Sequence, residues 1–238
     1  MSSLSFVRLV PPGRGRAVAL AASALIALGA AGPAAADVVY TNGFSVDSTG
    51  FSGVTTVQTA PNGITFLGFL AAGTSTDLSL SGLAAHTTVN LSFDLYALRS
   101  LDGNGEFCCG PDRFKVTVDD SAILMDNTFT TWNGNTQDYP NAGSANGAGS
   151  VSRDADAFGY GAYFGGADSY HFSFDIASSG SSIKLSFFGN SDQGWGDEGF
   201  GIDNVKVSTN AVPEPSTYAL MLAGLGLGGL MARRRTRT

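Results

Sequence analysis

Val89-Asn-Leu-Ser-Phe-Asp-Leu-Tyr96 puts Val89, Leu91, Phe93 and Leu95 on one phase and Asn90, Ser92, Asp94 and Tyr96 on the other. A strict period of two belongs to a β-strand with one face in a core and one in water. The alternation recurs along the chain. Phe114, Val116 and Val118 alternate with Lys115, Thr117 and Asp119, and Tyr170, Phe172, Phe174 and Ile176 with His171, Ser173 and Asp175. Ile183, Leu185 and Phe187 repeat it, and shorter candidates lie at 38–44, 64–70 and 78–81. Between the two ends no stretch holds a 3.6-residue period, so the crossover helices that parallel strands need are missing. The expected class is all-β: an antiparallel β-sandwich, with the jelly roll as its expected form.

Charge narrows the partners. Between residues 37 and 211, nineteen Asp and Glu stand against six Lys and Arg. Such a domain repels nucleic acid and anionic lipid and attracts divalent cations. The two cysteines, Cys108 and Cys109, are adjacent. Neighbouring Cα atoms sit about 3.8 Å apart, below the usual disulfide range, so the pair forms a strained local bridge or stays as thiols. An oxidising compartment would favour the bridge.

Two acidic segments carry metal-ligand character. Asp102-Gly-Asn-Gly-Glu106, followed by Asp112, sets oxygen side chains at alternate positions among glycines that permit tight turns. That pattern suits a hard cation such as calcium and makes Asp102, Asn104, Glu106 and Asp112 candidate ligands; a hydrogen-bonded Asx turn is the alternative. The second segment runs from Ser191 to Val207 and ends Ile-Asp-Asn-Val-Lys-Val. By period two, Asp203 shares the apolar phase of Val205 and Val207. A buried lone carboxylate must be paired, hydrogen-bonded or on a metal. This segment resembles the final strand of carbohydrate-binding-module jelly rolls, and the resemblance implies a structural calcium with Asp203 among its ligands. Asn42-Gly43-Phe44 with Gly50-Phe51-Ser52-Gly53 resembles the first strand of those modules, which implies that first and last strands lie side by side. Ser45 departs from the acidic residue that often follows the Phe there.

Residues 126–168 are long for a loop in a compact domain, so they are either a functional excursion or contain edge strands that the sequence does not place. They hold Phe129, Trp132, Tyr139, Phe158, Tyr160, Tyr163 and Phe164 among Asn, Gly, Ser and Ala. Rings in such a setting form either a sugar-stacking surface, with Trp132 and Tyr160 its candidates, or a lid over one end of the sandwich. Catalytic patterns are missing. No Gly-x-Ser-x-Gly or His-Glu-x-x-His occurs, and His86 and His171 are the only histidines. No catalytic residue is assigned; a glycosidase built on two converging carboxylates is the enzymatic alternative.

Both chain ends read as export machinery. Arg8, Arg14 and Arg16 precede a charge-free stretch from 17 to 31, and Ala34-Ala35-Ala36 offers small residues for signal peptidase, so residues 1–36 read as a signal peptide. At the other end stand Pro213-Glu214-Pro215, an uncharged stretch from 216 to 232, then Arg233, Arg234, Arg235 and Arg237. Seventeen residues is the short end of what spans a bilayer, and clustered arginines stop transfer on the cytoplasmic side. The fixed φ of the two prolines should hold the tripeptide extended, outside any helix. The order of these blocks resembles the PEP-CTERM sorting signal of Gram-negative bacteria, which implies recognition and removal by an exosortase. The expected organisation is a signal peptide (1–36), a β-sandwich ectodomain (37–211) and a sorting signal (212–238, with its basic tail at 233–238). The expected function is that of an exported surface or matrix protein, held briefly in the inner membrane, calcium-supported and binding extracellular polysaccharide. The alternatives are a secreted polysaccharide hydrolase and a purely structural surface protein.

Overall fold

The computed structural model describes residues 36–105, 109–161, 165–194, 196–210, 212 and 215–235. The export signal at 1–35, Glu106, Cys108, Pro213, Glu214 and Arg237 lie outside the described residues. Fourteen strands occur among the described residues: β1 (Asp37–Asn42), β2 (Phe51–Gly53), β3 (Val57–Thr59), β4 (Thr65–Leu70), β5 (Thr74–Ser81), β6 (Thr88–Arg99), β7 (Arg113–Val118), β8 (Ala122–Thr128), β9 (Thr136–Gln137), β10 (Ser144–Ala145), β11 (Ser152–Asp154), β12 (Ala167–Ala177), β13 (Ser182–Asn190) and β14 (Glu198–Thr209). A helix, α1, follows at Pro215–Arg235.

All pairings are antiparallel. One sheet runs β11-β12-β6-β14-β4-β3, with β1 also on β14; the other runs β2-β5-β13-β7-β8. The fold is the jelly-roll kind of sandwich that the alternation implies, and the first and last strands do pair. The inward phase of each strand meets its counterpart across the core. The Phe93 ring of β6 lies 6.2 Å from Phe114 of β7 and 5.1 Å from Phe187 of β13, and Phe114 lies 5.4 Å from Phe200 of β14. All four are fully buried, and burial of each such ring stabilises by about 1.5–3 kcal/mol.

One irregularity overturns a phase assignment. The register of β14 against β6 shifts between Asp203 and Lys206, and Asn204 has φ 50°. A bulge inserts one residue, so Ile202 and Val205 both enter the main core although an even step does not separate them. Asp203 therefore leaves the phase of Val205 and Val207. It faces the outer side of the seven-stranded sheet, towards Tyr96.

That outer side carries a second apolar cluster, in which Phe66, Phe69, Tyr96 and Leu98 pack with Phe158. Phe158 comes from a 3₁₀ turn at Ala157–Gly159 inside the aromatic-rich segment. The same segment holds β9, β10 and β11, which its glycine-broken sequence does not reveal.

Candidate metal and ligand-binding site

Three strand ends converge at one end of the sandwich. Asp102 lies three residues beyond β6, Asp112 immediately precedes β7, and Glu198 opens β14. Two of these strands belong to one sheet and the third to the other, so the residues bridge the two layers. Carboxylate oxygens of Asp102, Asp112 and Glu198 lie within 4.8 Å of one another. Asp112 and Glu198 are 0 % exposed and Asp102 is 9 % exposed.

Their hydrogen bonds account for only part of their oxygens. The Asp102 N–H donates to Asp112 Oδ2, the Gln193 N–H donates to Glu198 Oε1 at 2.9 Å, and Asn135 Nδ2 donates to Asp102 Oδ1 at 3.1 Å. Asp112 Oδ1 and Glu198 Oε2 are buried and find no N–H or hydroxyl partner among the described residues, although the two carboxyls are placed so that one, when protonated, hydrogen-bonds the other. Burial pushes the Asp112 carboxyl up to about 7, and repulsion from Asp102 and Asp192 adds to it. Burial pushes Glu198 up to about 9, and repulsion from Asp112 comes next. Buried acids so placed must take up a proton or a cation. The donor set is all oxygen and anionic, which suits calcium or another hard divalent ion and offers nothing to a soft one.

The loop before Asp112 is built around close backbone approach. Gly103 has φ +67°, and a Cβ there would lie 2.2 Å from the Thr136 carbonyl oxygen. Only glycine fits this position, and it lets the chain turn back so that the Asp112 N–H donates to Gly103 O at 2.9 Å.

Of the metal candidates read from sequence, the fold brings Asp102 and Asp112 together and places Asn104 and Asp203 in other roles. Asn104 is spent on the loop itself: its Nδ2 donates to Thr136 Oγ1 at 2.9 Å and its Oδ1 accepts from Thr128 Oγ1 at 2.6 Å. Glu106 is outside the described residues. Asp203 stands apart and is held by hydrogen bonds, from the Tyr96 hydroxyl at 3.0 Å and the Asn204 N–H at 2.7 Å; burial raises its pKa. Glu198 is the member of the acidic cluster, and so the candidate ligand, that the sequence reading missed. Its signal was present, because 198, 200 and 202 share one strand phase and Phe200 and Ile202 are core residues. A carboxylate on that phase is a buried acid.

The rings of the 126–168 segment divide between core and surface. Phe129 is fully buried, and Tyr139 packs on it and on Tyr170, with ring centroids at 5.5 Å in both cases. Tyr160 is half-buried against Phe69 and lies under the Arg99 guanidinium, 4.6 Å from the ring centroid. It serves the outer cluster more than the surface. Trp132 remains 40 % exposed, and its indole N–H donates to the Ser100 carbonyl at 3.1 Å. Beside it a cleft of about 310 Å³ is lined by Thr131, Asn133, Asp154 and the Arg153–Asp168 ion pair, which closes at 2.7 Å. The segment is thus partly a lid and partly an exposed polar-aromatic face.

Cys109 is disulfide-bonded, and Cys108 is the only other cysteine of the chain. At the C-terminus α1 begins at Pro215, so this proline opens the helix instead of standing extended before it. The first helical position tolerates proline because its missing N–H would be unbonded there anyway. Arg233, Arg234 and Arg235 occupy the last turn, where cations complement the helix dipole. Among the described residues no helix is long and apolar enough to cross a membrane, a span from 216 to 232 included.

Residues 211–235 match the family described as the PEP-CTERM protein-sorting motif. The chain is an antiparallel β-sandwich that carries this motif at its end. No curated protein sequence matches it. Among solved structures it is similar to a family 35 carbohydrate-binding module from an environmental isolate, with 16 % identity, a TM-score of 0.37, and coverage of 74 % of this chain and 99 % of that one. It is also similar to the C-terminal family 6 module of the LamC laminarinase from Zobellia galactanivorans, with 10 % identity, a TM-score of 0.37, and coverage of 73 % and 99 %. A family 35 module from Clostridium thermocellum gives 12 % identity and a TM-score of 0.36, with coverage of 73 % and 99 %. Identity at this level says nothing of a ligand.

Proposed function

We propose that this is an exported, non-catalytic surface protein. Signal peptidase removes residues 1–36, and the C-terminal segment holds the chain briefly in the inner membrane of a Gram-negative bacterium. An exosortase-type enzyme then reads Pro213-Glu214-Pro215 and frees the sandwich to the cell surface or matrix. The observation that carries this reading is the position of the sorting motif. It begins at residue 211, directly after β14 ends at Thr209, and runs into a helix whose last turn is basic. Four glycines and a Ser-Thr-Tyr opening keep residues 216–232 less apolar than a permanent span, which suits an anchor that is later removed.

The sandwich we assign to binding extracellular polysaccharide, with the exposed Trp132 ring as the stacking residue, and to holding a structural calcium ion. The two unpartnered carboxylate oxygens support the calcium. A hydrolase would need a carboxylate pair open to substrate, whereas Asp112 and Glu198 are sealed from solvent. Mass spectrometry of the protein from its native host tests the sorting reading. The mature species is expected to lack residues 233–237 and to keep them when Pro213, Glu214 and Pro215 are replaced by alanine. A wild-type protein that retains its arginines on the surface would overturn it.

A further inference from the structure

Residues 99–102 lie between the three carboxylates and the exposed Trp132 ring. On one side this segment holds Trp132 and its neighbours. The Trp132 indole N–H donates to Ser100 O at 3.1 Å, the Thr131 N–H donates to Leu101 O at 3.0 Å, and Thr131 Oγ1 donates to Arg99 O. Asn135 Nδ2 reaches Asp102 itself, donating to its carbonyl at 3.0 Å and to Oδ1 at 3.1 Å. On the other side the segment clasps the chain just before Glu198. Arg99 Nη1 donates to Gly196 O at 2.6 Å, and Ser100 Oγ donates to Asp197 O at 3.0 Å.

Trp132 is therefore positioned by backbone that ends in Asp102 and is bonded to Gly196 and Asp197, the residues just before Glu198. Asp112 and Glu198 are fully buried, and each has an oxygen without an N–H or O–H partner among the described residues, so their charge must be compensated where these loops meet, by protons or by a cation. Three carboxylates within 4.8 Å repel strongly at low dielectric, and a divalent cation between them turns repulsion into attachment.

We propose that a divalent cation held by Asp102, Asp112 and Glu198 fixes the position of Trp132, so that the glycan-facing surface is assembled only with the cation bound. This coupling rests on the cation reading above. Trp195→Phe leaves Trp132 as the one indole, since the chain has two tryptophans. In that background the full chain, freed of divalent ions, is titrated with calcium alone and followed by calorimetry and by tryptophan emission. Calcium is expected to bind, and the Trp132 emission to shift over the same concentration range and revert with chelator. Glu198→Gln is expected to weaken binding by about tenfold or more and to move the emission shift to matching concentrations. Ser100→Ala removes the Oγ bond to the Asp197 carbonyl and touches no carboxylate, so it is expected to retain binding while reducing the shift. Should Glu198→Gln not fold, Asp112→Asn serves the same purpose. Calcium binding with an unchanged Trp132 emission overturns the coupling and leaves the cation reading standing. No binding heat together with an unchanged melting temperature removes both.

Discussion

Stripping divalent cations from the full chain is expected to make its stability fall as pH rises from about 5 to about 7. Asp112 is raised to about 7 and Glu198 to about 9, both chiefly by burial, against ordinary values near 4. Across this window the folded state keeps up to two protons that the unfolded chain has released. A carboxyl whose folded pKa is raised favours folding at the acid end and loses that contribution as pH climbs. Each retained proton contributes about 1 kcal/mol per pH unit. For a domain of 150–250 residues the melting temperature is therefore expected to fall by about 2–4 °C or more per pH unit. Calcium at a hundred times its dissociation constant adds about 2.7 kcal/mol and takes the place of the protons, which flattens the slope. Thermal melts at pH 5, 6 and 7, with chelator and with calcium, read both effects. A melting temperature that holds or rises between pH 5 and 7 in chelator would mean that the cluster does not retain protons.

Other substitutions probe the frame around the site. Gly103→Ala places a Cβ 2.2 Å from a carbonyl at positive φ, so a loss of about 1–3 kcal/mol is expected, and an unchanged urea midpoint would contradict the loop packing. Phe93→Ala empties the centre of the two-sheet contact and is expected to cost about 3–5 kcal/mol by denaturant unfolding; a loss under about 1 kcal/mol would place the core elsewhere. Asp203→Asn retains acceptor capacity towards Tyr96 and is expected to leave the calcium-dependent rise in melting temperature intact. Loss of that rise would return Asp203 to the metal site.

The strands were legible because their side chains obey one periodicity. Each of the segments around Val89, Phe114, Tyr170 and Ile183 lies in a strand whose inward residues are those of the apolar phase. Where the period breaks, the reading fails with it. The bulge at Asn204 shifted Asp203 off the assumed phase, and a bulge has no signature in residue type here, since asparagine is as common in turns. The strands within 126–168 are two or three residues long, too short for an alternation to declare itself. The acidic cluster was half visible. Each of its loops stood out by composition, but their meeting depends on β6, β7 and β14 ending on the same side of the sandwich, which is a fact of topology. Asn104 looked like a ligand by spacing and is a brace by geometry. Phe129 and Tyr139 had no alternation to place them, and they pack into the core because a segment between strands can fold its rings inward without alternating.

The most direct measurement is a crystal structure of the chain grown with calcium, with the ion located by its anomalous signal. An ion about 2.3–2.6 Å from oxygens of Asp102, Asp112 and Glu198 together is the expected result. Calcium seated at Asp203, or three carboxylates still clustered under saturating calcium with no ion among them, would contradict it.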